Sequence, residues 1–394
     1  MRTIGVVSVG RSDYGIYMPI LRKIKADPDL NLHLIVSGMH LSDKFGMTVD
    51  LIESDGFEVD CRVEIPLDSD SPESVSKSMG MGTISFATVF SKSRPDVLIV
   101  LGDRYEMHSA AVAALPFNIP VAHIHGGELT EGAIDNSLRH SMTHLSHIHY
   151  VATEESRDRV MQLGVEPSRV LVTGAPSLDN LHEIKFLDKQ DLEAHFGWNL
   201  SEAPLLVTFH PVTLEYEQTE RYMAELLAAL DAWNRTIVFT SSNADTGGAI
   251  IEDMLQKFVG NHPKAFLVNN LGTQRYFSLM TYAAAMVGNS SSGLIEAPSF
   301  GLPVVNIGTR QQGRTRGSNV IDVGYSQHEI TAGISAALET RFRQRLSGKL
   351  NPYGDGQAST RIVSHIKTVA LNQDLITKRF VDFPGSRDLT PQSQ

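Results

Sequence analysis

Short β-branched runs recur along the whole chain, and nearly all stop on glycine, serine, asparagine, aspartate or histidine before a longer amphipathic stretch begins. Such alternation builds βα units, and a parallel sheet is the arrangement that buries them. In the first half the runs are TIGVVSVG, LHLIVSG, DVLIVLGD, PVAHIHGG, HIHYVAT and VLVTGAP; in the second they are PLLVTFHP, TIVFTSSNAD, AFLVNN, AAMVGNS, PVVNIG and NVIDVG. Their polar ends fall where loops leave the C-terminal edge of an open α/β sheet, the edge at which such sheets hold ligands. With 394 residues the chain exceeds the usual size of one core. The expected fold is therefore α/β, with two doubly wound, Rossmann-like domains facing each other across a cleft. The pattern turns charged and irregular within Asn180–Pro204, which sets the domains at residues 1–185 and 186–364. The segment Ser359–Phe380 reads as helical, and a C-terminal helix at about 365–394 is expected to cross back to the first domain.

Composition narrows the partners. The formal net charge of −11 disfavours a nucleic-acid partner, because backbone binding needs a basic surface. A few arginines in a cleft still suffice for an anionic small molecule. The only cysteine is Cys61, so no intramolecular disulfide forms, and a reducing, cytoplasmic setting is expected. The N-terminal MRTIGVVSVG reads as a first strand rather than a signal peptide, and no apolar run reaches the roughly 18 residues of a membrane span.

The richest stretch runs from Leu101 to His140, where Asp103, Arg104, Glu128, Asp135 and Arg139 come from successive strand-end loops. Asp103, Glu128 and Asp135 fit a proton-transfer group, since neighbouring carboxylates push one another's pKa values apart. They fit equally a set of helix caps and arginine salt bridges. GRSDYG (Gly10–Gly15) is neither a GxGxxG fingerprint nor a Walker loop, but a helix start carrying Arg11 can hold a phosphate. NSSSGLIE (Asn289–Glu296) brings three hydroxyls to an expected helix start, with Glu296 two turns in and suited to ribose hydroxyls. TFHP places His210 at a strand end, as an acid or a cation beside a leaving phosphate, or as a structural histidine. TRQQGRTRG carries Arg310, Arg314 and Arg316, which read as phosphate or carboxylate recognition or as surface charge. Seven histidines lie from His108 to His149; without HExxH, CxxC or an Asp-rich cage they read as core and loop histidines, and no metal is expected.

Taken together, GRSDYG, VSGMHLSDKFG, LGDRYE, HIHGGE, DNSLRH, TFHP, SSNAD, GNSSSGLIE and NIGTRQQGR resemble the UDP-N-acetylglucosamine 2-epimerases, specifically the hydrolysing branch that forms N-acetylmannosamine for sialic-acid-type sugars. The resemblance covers about residues 5 to 325. It implies a GT-B fold and a cleft that takes a UDP-sugar. It also implies that Arg11, Arg104, His210, Ser290, Ser291 and Arg310 contact the diphosphate and nucleotide, with Glu296 on the ribose and Asn243 near the nucleotide. Proton transfer would fall to Asp103, Glu128 and Asp135, with His210 nearby; Glu128 and Asp135 are the first choice as the pair. Gly15 replaces a serine-like position, so a side-chain contact is lost there. A homodimer or homotetramer is implied, and the fused kinase of animal members is not expected.

The C2 proton of a nucleotide sugar is too weakly acidic for direct removal, as no carbonyl adjoins it. Departure of the anomeric UDP acidifies it, and donors around the diphosphate stabilise that departure. A carboxylate then takes the proton, leaving a 2-acetamidoglucal. Water adds at C1 and a proton returns to C2 from the other face. No oxidation occurs, so no cofactor is expected. The competing expectations are the same reaction on UDP-2,4-diacetamido-2,4,6-trideoxyglucose, a non-hydrolysing epimerase, a GT-B glycosyltransferase and a non-catalytic nucleotide-sugar sensor.

Overall fold

The computed structural model describes residues 1–43, 46–65, 71–131, 133–242, 247–269 and 271–382. Two all-parallel sheets organise it. The first contains β1 (Arg2–Ser8), β2 (Leu30–Ser37), β3 (Cys61–Val63), β4 (Val97–Leu101), β5 (Val121–Ile124), β6 (Ile148–Val151) and β7 (Val170–Val172), in the order β3-β2-β1-β4-β5-β6-β7. The second contains β8 (Leu205–Thr208), β9 (Ile237–Thr240), β10 (Ala265–Val268), β11 (Ala285–Gly288), β12 (Val304–Ile307) and β13 (Val320–Val323), in the order β10-β9-β8-β11-β12-β13. Helices cover both faces, so the central strands are buried on both sides and read as unbroken apolar runs; all five residues of β4 are buried.

Every run read from the sequence forms a strand. The structure adds β3, a three-residue edge strand whose Arg62 faces solvent. So short an edge strand needs no apolar run to hold it, which is why the pattern passed over it.

Both sheets reverse their winding at one gap, between β1 and β4 and between β8 and β11. At these switch points the loops diverge and leave a crevice at the C-terminal ends of the strands. Gly288, the last residue of β11, has φ +132°, and a Cβ there would lie 1.9 Å from the carbonyl oxygen of Thr208. Only glycine lets the second switch point close this tightly.

The chain returns to the first sheet after the second is complete. Helix Ala358–Thr368 places Ile362, Val363 and Ile366 in the core that holds β1 and β4, and Arg169 binds the carbonyls of Asp374, Leu375 and Thr377 beyond it. This helix begins about seven residues before the expected start at 365 and is followed by a separate turn, Gln373–Ile376. Residues 383–394 of the expected segment lie outside the described residues. No helix among the described residues is long and apolar enough to cross a membrane.

Candidate active site

The two switch points open onto one cleft of about 690 Å³. Loops after β1 and β4 bring Arg11, Asp103 and Arg104 to it, and the segment after β5 brings Glu128 and Asp135. From the second domain come His210 after β8, Ser290, Ser291 and Glu296 after β11, and Arg310 after β12. Of the candidates read from the sequence, Asn243 alone lies outside the described residues.

The first-domain wall is a braced set of charges. Arg139, 2% exposed, donates to Asp103 through Nη2 and to the His125 carbonyl through Nη1 at 2.8 Å. Thr130 Oγ1 accepts from Arg139 at 3.1 Å and donates to Asp103 at 3.4 Å. Glu128 is buried, with Oε1 2.5 Å from His125 Nδ1 and Oε2 3.5 Å from Arg314 Nη2 and 4.0 Å from Arg139 Nη1. Burial alone would raise the Glu128 carboxyl, but His125, Arg314 and Arg139 outweigh it and hold it well below the usual carboxylate range. Asp103 follows the same pattern: burial raises it, Arg139, Arg314 and Arg310 overcome that, and it stays ionised. With Glu128 ionised, His125 Nδ1 is the donor of their shared hydrogen bond.

Local backbone explains how Glu128 reaches the cleft. Strand β5 stops at Ile124, His125 takes φ +63°, and Gly127 takes φ +75° with Ser156's carbonyl oxygen 2.2 Å from where a Cβ would stand. A left-handed non-glycine residue is costly, and surrounding contacts hold it; the His125 N–H donates to the Tyr150 carbonyl at 3.0 Å.

The second-domain wall is built from donors on short turns. His210 and Asn289 exchange reciprocal bonds, His210 N–H to Asn289 Oδ1 at 2.7 Å and Asn289 Nδ2 to the His210 carbonyl at 2.8 Å, which tie the loops after β8 and β11 together. Arg310 Nη1 and Gln311 Nε2 both donate to the Asn289 carbonyl, at 3.2 and 2.8 Å. The expected helix at the serines is only one turn, Ser292–Ile295, followed by a tight turn over Ala297–Phe300. Pro298 lacks the N–H that a longer helix would need. The serine hydroxyls and local N–H groups, rather than a long helix dipole, therefore face the cleft.

Two sequence readings change. His210 does not stand as a cation here: burial, then Arg310 and Arg104, push its imidazole well below neutrality. Arg310, Arg314 and Arg316, read as phosphate or carboxylate recognition or as surface charge, do not act as one set. Arg314 turns into the carboxylate wall, Arg316 pairs with Asp322 at 2.7 Å, and Arg310 and Arg314 both line the cleft. Arg104 is held by Glu106, 3.2 Å away and fully buried. Glu296, set aside for a ribose, accepts a hydrogen bond from Ser177 across the cleft; burial raises its carboxyl.

Sequence reading missed two residues. His125 was set aside with the other histidines, although its place three residues before Glu128, across two glycines, was a signal that the two meet. Asp13, in the first turn after β1, lines the cleft with a carboxyl that burial pushes up to about 7 against the pull of Arg104. No cluster able to hold a metal ion is found among the described residues.

Two parallel-sheet domains around one cleft give a fold of GT-B type, and comparison with known proteins supplies the family. The profile of the family described as UDP-N-acetylglucosamine 2-epimerase matches residues 22–367, and the chain belongs to that family. It is 39% identical, over 97% of its length and 99% of the relative's, to the GDP/UDP-N,N'-diacetylbacillosamine 2-epimerase (hydrolyzing) of Campylobacter jejuni. It is 35% identical to the UDP-N,N'-diacetylbacillosamine 2-epimerase (hydrolyzing) of Legionella pneumophila, over 96% and 99% of the two chains. With the Polysialic acid biosynthesis protein P7 of Escherichia coli it shares 36% identity over 98% of each. The fold matches the crystal structure of UDP-GlcNAc 2-epimerase from Neisseria meningitidis bound to UDP-GlcNAc, with a TM-score of 0.80 at 20% identity, covering 93% of this chain and 99% of that one. The chain is a UDP-sugar 2-epimerase.

Proposed function

We propose that this protein is the hydrolysing 2-epimerase of UDP-2,4-diacetamido-2,4,6-trideoxyglucose, that is, UDP-N,N'-diacetylbacillosamine, releasing UDP and the 2,4-diacetamido-trideoxy-mannose sugar. The N-acetylmannosamine-forming reaction was the first expectation from the sequence. The full-length likeness to two relatives named for the diacetylbacillosamine reaction favours the trideoxy sugar instead. The observation that carries the chemistry is a carboxylate held ionised by three cationic or hydrogen-bonding partners, facing an anion-binding wall in the same cleft.

In this reading the C1–O bond breaks and UDP leaves with the electron pair, met by Arg11, Arg310, Ser290, Ser291 and the imidazole of His210 as a neutral donor. Glu128 takes the C2 proton as its electrons form the C1–C2 double bond. A protonated carboxyl then gives its proton to C2 on the opposite face as water bonds to C1, and the proton that the water releases returns to that carboxylate. Asp135 lies on the cleft, less buried than Glu128, and is assigned that second face; Asp103 holds Arg139, which stands 4.0 Å from Glu128.

Proton NMR in deuterated water tests this directly, with UDP-N,N'-diacetylbacillosamine and UDP-N-acetylglucosamine in parallel. The expected products are UDP and the manno sugar deuterated at C2, formed faster from the diacetamido substrate. Faster turnover of UDP-N-acetylglucosamine would reverse the substrate assignment, and UDP release without deuterium at C2 would remove the elimination step.

A further inference from the structure

Arg314 belongs to the second domain but is bound by the first. It follows β12 on the loop through Gly313, whose φ of +80° brings the backbone against Leu129, with a Cβ position 2.6 Å from Leu129 Cδ1. From there the guanidinium uses its planar fork: Nε donates to the Leu129 carbonyl at 2.7 Å and Nη2 to Thr130 Oγ1 at 3.1 Å, while Nη2 stands 3.5 Å from Glu128 Oε2. Its backbone is fixed from behind, since Arg316 Nη1 donates to the Arg314 carbonyl at 2.7 Å and the buried Tyr353 hydroxyl to the Thr315 carbonyl at 2.9 Å. Arg159 Nη2, from the first domain, reaches the Gly313 carbonyl at 3.2 Å. The arginine is 8% exposed, and a surface cation would not be braced on both sides of a domain boundary.

We propose that Arg314 is a cross-domain positioning residue: with the two domains together, its fork completes the cage around Glu128 and holds that carboxylate oriented and ionised for proton removal. This rests on the reading of Glu128 as the base. The other charged or titratable groups facing Glu128 are His125 on its own loop, Asp103 after β4, Arg139 on the helix Asp135–Leu145, and Tyr353 from the returning segment; Arg310 acts on the adjoining Asp103. Among these, His125, Asp103 and Arg139 share Glu128's domain, so they stay with it whatever the cleft does. Arg314 does not. The cage around the reactive carboxylate is thus completed only from the other domain.

Two variants of the full chain, Arg314→Gln and Arg314→Lys, test the assignment by kinetics and by carbon NMR of δ-labelled glutamate, with the Glu128 signal identified by its loss in Glu128→Gln. Arg314→Gln is expected to lower kcat for UDP release about 100-fold, as a small misplacement of a reacting group does. KM and calorimetric UDP affinity should stay within about threefold, because uniform binding is untouched. Its Glu128 signal should titrate about 1–2 pH units higher than in the wild type, the direction that losing a nearby cation dictates. Arg314→Lys should return the titration towards wild type while leaving kcat below it, since the charge survives and the fork does not; it carries the test should the glutamine variant not fold. An unchanged Glu128 titration in Arg314→Gln, or wild-type kcat in Arg314→Lys, would overturn the proposal. The NMR titration needs no turnover, so an absence of C2 exchange in the wild-type protein would remove Glu128 as the base while still reporting whether Arg314 holds it.

Discussion

The two walls of the cleft solve opposite electrostatic problems. On the first-domain wall the buried charges are paired in advance: Asp103 by Arg139, Glu128 by His125, Arg139 and Arg314, and Arg104 by Glu106. Removing one member of such a buried set leaves another charge without its partner, which costs about 3–5 kcal/mol. The second-domain wall presents serine hydroxyls, the His210 imidazole, Glu296 and Arg310, with Asn289 exchanging bonds with the His210 backbone and accepting from Arg310. A wall that must move a proton fixes its charges in advance. A wall that must accept and release a dianion presents donors and leaves the charge to the ligand. At His210 burial and the nearby arginines act together against the charged imidazole, whereas at Glu128 His125 and the arginines oppose burial and win.

The contrast can be broken by experiment. The largest effect is expected from Glu128→Gln, which should cut C2 deuterium exchange by about 10³-fold or more while calorimetric UDP affinity remains close to wild type. An equal fall in UDP affinity would mean that the two walls do not divide the labour. Arg310→Ala should act the other way, weakening UDP binding by about 1.5–3 kcal/mol, the worth of a charge-assisted hydrogen bond, with the unfolding midpoint little changed. A loss of stability without a loss of UDP binding would place Arg310 with the first wall's structural arginines.

The third expected effect is one of pH. Glu128 and Asp103 have lowered carboxyl pKa values in the fold, so they add stability above the ordinary carboxylate range that is lost as pH falls through their folded values. Asp13 has the opposite sign. Raised from 3.8 to about 7, it costs the fold stability progressively as pH rises from the ordinary carboxylate range to that value. Asp13→Asn keeps an acceptor for the Val9 N–H, and its gain over the wild type should therefore be about 2–3 kcal/mol larger at pH 8 than at pH 5. Denaturant melts at the two pH values measure this, and an equal gain at both would show that Asp13 is not the titrating group.

Much of the fold was legible because a strand buried on both faces must be apolar throughout. DVLIVLGD and PVVNIG could not have been mistaken for surface segments, whereas CRV, an edge strand of three residues, carries no such mark. The site was legible as a set of strand-end loops and less so as a geometry. Asp103, Glu128 and Arg310 could be named from their motifs, but neither the turn of Arg314 into the first domain nor the deprotonated state of His210 follows from residue types in order. The serine segment shows the limit from the other side: a helix read from Ser290 to Glu296 and beyond is cut to one turn with Pro298 in the next.

The sequence by itself determined the βα alternation, the polar punctuation at the strand ends and the inventory of carboxylates, arginines and hydroxyls, because each follows from local periodicity and chemistry. Only the tertiary structure decided which loops are neighbours and which charges survive burial. Strand order places the gaps β1/β4 and β8/β11 opposite one another, and that contact at a distance in the chain sets both the cleft and the fields inside it. A carboxylate's proton is governed by what stands within a few ångströms of it, and at Glu128 one of those neighbours arrives from a residue 186 positions further along the chain.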